Sequence, residues 1–84
     1  MLTKVRIMIV SIFGTVLREL RENKKLSQEK LAEFCDLDRT YISLLERGLR
    51  QPTLTTLFKL ADALNIKASE LVEMVDIKLT SKLQ

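Results

Sequence analysis

Histidine is absent from these 84 residues, cysteine and proline occur once each, and glycine occurs twice. Without histidine, the lone Cys35 can neither complete a Cys–His zinc site nor serve as a histidine-activated nucleophile, and it has no partner for an intrachain disulfide. It reads instead as a small buried hydrophobe. No glycine-rich loop is present to cradle a phosphate, and the carboxylates are scattered, so no catalytic group assembles. The expectation is no enzyme, no metal, no cofactor and no small-molecule ligand. Long apolar runs are missing too. Lys4 and Arg6 precede Ile7-Met8-Ile9-Val10 in loose imitation of a signal peptide, but the run is short and no small-x-small cleavage site follows. It is also far too short to span a bilayer, and no membrane partner is expected. A single cysteine and no cleavable signal favour a reducing cytoplasm.

What remains is 46% apolar and 30% charged residues, enough for one small domain near the lower size limit for folding without disulfides or metals. The net charge of +3 is only mildly basic, so any argument for an anionic partner depends on where the charges sit. There is no repeat, low-complexity tract or linker.

The chain is organised around Ser27 to Gly48, SQEKLAEFCDLDRTYISLLERG. Ser27 is a suitable N-cap, and Leu31, Ala32 and Cys35 follow on one helical face. Asp36-Leu37-Asp38 breaks the period. Asp38 then caps a second helix with Ile42 and Leu45 inward and Arg39, Thr40, Tyr41, Ser43, Leu44 and Arg47 outward, stopped by Gly48 in the left-handed region. Two short helices joined by so tight a turn cross steeply, which projects the second outward.

Around this pair, Phe13, Val16, Leu17 and Leu20 predict an amphipathic helix to about Lys24. Pro52 and the cap Thr53 open a helix with Leu54, Leu57, Phe58, Ala61 and Leu64 on its apolar face, stopped at Asn65. Ser69 is expected to cap a fifth helix, with Glu70 in its first turn and Leu71, Val72 and Val75 on its apolar side. The all-α reading is a compact five-helix bundle with a helix-turn-helix. Residues 12–76 form the domain and 77–84 a frayed helix end or tail. For residues 1–11 three readings stand. Val5, Ile9, Ile12 and Val16 share a helical face, so the first helix extends backward, the favoured reading. Alternatively, Val5, Ile7 and Ile9 alternate as a short strand, or the segment is incidental and Met8 is the natural start.

Ser27-Gln28 with Leu31-Ala32, Ile42-Ser43 and Glu46-x-Gly48 resemble the helix-turn-helix of the phage Cro and repressor superfamily. Leu37-Asp38-Arg39-Thr40-Tyr41-Ile42-Ser43 and Glu46-Arg47 are most similar to the controller proteins of restriction–modification systems. The similarity runs from about Phe13 to Val75. It implies a lambda-repressor-like domain, a structural ion pair between Arg21 and Glu46, and a dimer interface on the fourth and fifth helices. Leu71, Val72, Met74 and Val75 are the candidates for that interface. Many members have glycine where this chain has Asp36, which tolerates the left-handed region but brings a negative charge near the DNA face.

The outward residues divide into contacts that specify and contacts that position. Arg39 can pair its fork with guanine O6 and N7, and Thr40 can reach a base or a thymine methyl. Ser43 and Leu44 lie one turn on; Leu44 reads methyl groups or meets another protein. Gln28, Arg47, Arg50, Gln51 and Thr53 are candidates for phosphate, as is Tyr41, whose alternative is half-buried core. The expected function is a sequence-specific, homodimeric DNA-binding transcriptional regulator on an inverted repeat. It would block RNA polymerase or activate by touching it. The alternative is an antitoxin-type protein that binds a partner protein and its own operator.

Overall fold

The computed structural model describes residues 2–84; Met1 lies outside the described residues. Five α-helices follow in order: α1 Leu2–Asn23, α2 Gln28–Cys35, α3 Arg39–Glu46, α4 Leu54–Ala63 and α5 Ala68–Leu83. The amino-terminal segment continues α1 and forms no strand, and the carboxy-terminal segment continues α5. α1 packs on α3 and α5, α2 on α3 and α4, and α4 on α5. At ~1.5 Å per residue, α1 runs about 33 Å, close to the 36 Å long axis of the molecule.

Every helix contributes to one core: Ile12, Phe13, Val16 and Leu17 from α1; Leu31, Ala32 and Cys35 from α2; Ile42 and Leu45 from α3; Leu60 and Ala61 from α4, with Leu64 at its C-cap; Leu71 and Val75 from α5. Removing that apolar surface from water is the main stabilising contribution.

Side chains fix where three helices start. The Ser27 hydroxyl accepts from Lys30 N–H at 3.0 Å, the Asp38 carboxylate from Thr40 N–H at 3.1 Å, and the Thr53 hydroxyl from Thr56 N–H at 3.1 Å. Ser69 does not cap α5. The chain leaves the Asn65 stop with only Ile66 and Lys67 before the helix begins, so Lys67 takes the cap position. Glu70 reaches back to accept from Lys67 N–H at 2.9 Å, satisfying a donor that the helix cannot.

The stops of α1 to α4 share one geometry. Lys25, Asp36, Gly48 and Asn65 all have φ between 55° and 73°. In each case the following residue (Leu26, Leu37, Leu49 or Ile66) donates its N–H to a carbonyl five residues back, at 2.9–3.1 Å. This is the Schellman arrangement, with an apolar residue just beyond the left-handed one.

The fourth helix corrects its expected face. Leu60, Ala61 and Leu64 enter the core with Thr56 beside them, whereas Leu54 is 71% and Phe58 59% exposed. The apolar stripe is wider than the strip that α2 and α5 cover, so its outer edge remains in water.

Candidate nucleic-acid interface

α3 is seated by Ile42 and Leu45, both fully buried, which leaves its first turn facing outward. Arg39 and Thr40 are exposed there, while Tyr41, Ser43 and Leu44 are half-buried. Asp38 is occupied by its cap to Thr40 N–H. Among the described residues no ion pair engages Arg39, Arg47 or Arg50. Their charges are therefore free for an external anion.

Behind α3 lies a polar clamp. Arg21 Nε donates to Glu46 Oε2 at 2.6 Å, and Nη2 to Oε1 at 3.0 Å, a two-point fork on the carboxylate. Nη1 donates to the Leu26 carbonyl at 2.7 Å, fixing the chain as it turns from α1 to α2. The Glu46 side chain is 2% exposed and that of Arg21 10%. The hydrogen bond to Glu46, followed by the attraction of Glu46 and Glu22, outweighs burial and raises the Arg21 pKa, so the guanidinium stays charged. Gln28 joins the clamp: its amide donates to Glu46 Oε1 at 3.0 Å. One amide N–H and the amide oxygen of Gln28, at the start of α2, are what remain for a phosphate. The clamp thus ties α1, the start of α2 and the end of α3 at one carboxylate.

Gly14 explains how close these helices come. A Cβ there would lie 2.5 Å from the Leu45 carbonyl oxygen and 2.6 Å from that of Glu46, so α1 and α3 meet backbone to backbone. Nothing in the hydrophobic periodicity marks Gly14; only its place inside an amphipathic helix, where glycine is disfavoured, hints at a close approach.

On the other side of α3, the Tyr41 hydroxyl lies 3.4 Å from that of Thr56, which is 2.9 Å from the Thr53 hydroxyl. Tyr41 therefore packs between α3 and the start of α4 as well as bordering the outer surface. The Thr53 hydroxyl accepts the cap bond from Thr56 N–H and meets the Thr56 hydroxyl, and the residue is exposed at the start of α4. Arg47, Arg50 and Gln51 are exposed on the α3–α4 loop.

The candidate dimer residues do not form one surface. Leu71 is fully buried and Val75 only 9% exposed; both belong to the core of their own chain and cannot present themselves to another. Met74 turns toward α1, lining a cavity of about 400 Å³ with Val16, Leu20 and Asn23 among others. Val72 alone faces out, at 49% exposure. It shares an apolar hollow of about 360 Å³ with Leu54, Leu57, Phe58 and Ala68, residues of α4 and the start of α5. α5 thus has two apolar edges, an inner one with Leu71 and Val75 and an outer one with Val72.

Residues 17–71 match the sequence pattern of the family described as Helix-turn-helix, which spans more than half of the chain. The chain belongs to the helix-turn-helix family. Within it, this chain is 43% identical over 67 residues to control protein C.BamHI of Bacillus amyloliquefaciens, covering 79% of this chain and 83% of the relative. Among solved structures it resembles the restriction–modification controller C.AhdI of Aeromonas hydrophila, with a TM-score of 0.72, 50% identity, and coverage of 74% and 94%. It also resembles the controller C.Esp1396I, solved as a tetramer on its natural 35 base-pair operator, with a TM-score of 0.77, 32% identity, and coverage of 86% and 95%. These controllers are DNA-binding regulators, not enzymes. Among the described residues no helix is long and apolar enough to cross a membrane.

Proposed function

We propose that this chain is a sequence-specific, homodimeric regulator of transcription that reads an inverted-repeat operator, as the controller of a restriction–modification system. One observation carries the reading: α3 is anchored by two fully buried residues and a buried fork while its first turn presents Arg39 and Thr40 unpaired. Rigid support behind and free hydrogen-bonding groups in front are what major-groove readout requires. Arg39, Thr40, Ser43 and Leu44 meet bases. Gln28, Arg47, Arg50, Gln51 and Thr53, with the Tyr41 hydroxyl, flank them on phosphates.

One α3 reads too few base pairs to select a site, so a two-fold pair is needed, its half-sites roughly 34–36 Å apart. The exposed apolar edge of Val72, Leu54 and Phe58 supplies a self-complementary surface for that pair. The C.Esp1396I tetramer on its operator supports such an assembly by likeness. Regulation then follows from occupancy of the operator, either blocking RNA polymerase or contacting it. A lone buried Cys35 suits the reducing cytoplasm where such a regulator works. The antitoxin alternative draws no support from these relatives.

Selection from a random duplex library at near-physiological salt tests this. An enriched inverted repeat with centres about 10–10.5 base pairs apart is the expected result. Retention without any motif would leave only phosphate binding and refute base reading. On the selected site, Arg39→Ala should lose about 1–3 kcal/mol of discrimination against random DNA. Equal losses on both duplexes would show that Arg39 does not read bases.

A further inference from the structure

The helix-turn-helix reading leaves the first two and a half turns of α1 without a role. Their charge pattern suggests one. Residues 1–18 contain no aspartate or glutamate, and neither do residues 47–61. Glu46, the acid that precedes the second stretch, is buried against Arg21. The fold lays these two acid-free stretches side by side. The Ser11 Cα lies 3.2 Å from where a Cβ on Gly48 would stand. One turn further out, Arg6, Ile7 and Val10 line a depression of about 240 Å³ together with Gly48, Leu49, Arg50 and Gln51. Arg6 is exposed, and among the described residues it forms no ion pair.

We propose that Arg6 extends the phosphate-binding edge of the α3–α4 loop, so that the start of α1 grips the DNA backbone beside the strand held by Arg50 and Gln51. The inference rests on the DNA-binding reading of that loop. A polyanion following Arg47 and Arg50 along the loop meets next a cation with no competing carboxylate, which is the arrangement counterion release rewards. Lys4 is the built-in comparison. It sits about 200° around the helix from Arg6 and is not among the residues lining the depression. Removing either cation changes net charge equally, but only Arg6 lies against the loop.

The test is equilibrium binding of the full chain, Arg6→Ala and Lys4→Ala to the selected operator and to a random duplex, from 50 to 200 mM salt. Both side chains are exposed, and circular dichroism confirms folding. A dimer losing two phosphate contacts should show a salt slope shallower by about 1.8, which makes its weakening across that range about tenfold smaller than the parent's. The change should be alike on both duplexes and at least twice that of Lys4→Ala. An unchanged slope for Arg6→Ala overturns the inference alone, as does an equal effect of Lys4→Ala. A parent chain that binds neither duplex overturns the DNA-binding reading and this inference with it.

Discussion

At Glu46, three separated parts of the chain share one carboxylate, and the consequence of losing it follows from burial. Glu46→Ala leaves the Arg21 guanidinium with its charge and most of its desolvation but without its counter-charge, and releases Gln28. Chemical denaturation should show a loss of about 3–5 kcal/mol; a loss below 1 kcal/mol would mean that water reaches Arg21. The pair was legible in the sequence only through likeness to a family, because no spacing rule connects residues 21 and 46. Gln28's share in it was not legible at all. Cys35 is the opposite case, readable from its helical face alone. Burial pushes its thiol up from the usual 9.0 to about 11. The unfolded chain ionises first, so this group's contribution is complete below about pH 9 and is lost as pH rises toward 11. Relative to Cys35→Ala, the native chain should lose on the order of 2–3 kcal/mol over that window. Parallel stability curves for the two would exclude this origin.

Among the elements, the α1–α3 crossing is set by what Gly14 lacks. Gly14→Ala drives a methyl group into two carbonyl oxygens that have no flexible end to yield, so α1 must lift from α3. A loss of about 1–3 kcal/mol is expected, with weaker operator binding because Arg21 and α3 move apart. If a thermal melt shows the gain ordinarily seen for Gly→Ala in a helix, the contact is slack. The five helices themselves could be read from apolar spacing and from Ser27, Asp38 and Thr53, whose caps act within three residues and so are written locally. The stops at Gly48 and Asn65 were equally plain. The stop at Lys25 was not, since lysine has no preference for the left-handed region and is held there by what surrounds it. The start of α5 departs from the expected cap for a related reason: Ser69 is a good cap by type, but the turn before it runs out of chain two residues earlier, at Lys67.

For the molecule as a whole, the unburied edge of α4 and α5 is the surface on which the proposed pairing rests. Leu54, Phe58 and Val72 are each about half exposed or more, an apolar patch that a lone small domain would do better without. Val72→Asp should leave the fold intact and weaken self-association by at least about 3 kcal/mol, roughly 1.5 from each copy. Sedimentation of the variant at dimer-forming concentration would refute the patch if it matched the parent. Which apolar residues face a second copy cannot be read from periodicity, because a stripe buried in the chain's own core and one awaiting a partner have the same spacing. The recurring stop after each of the first four helices has a consequence at this scale. At each joint a left-handed residue and the N–H after it close the helix, so the direction in which the chain leaves α1, α2, α3 and α4 is set within two residues. One residue added inside α3 or α4 would rotate everything after it in that helix by about 100°, carrying buried side chains into water. The left-handed stops therefore set where each helix ends, while the connection from Gly48 to Thr53 can absorb a change in length that the helices on either side of it cannot.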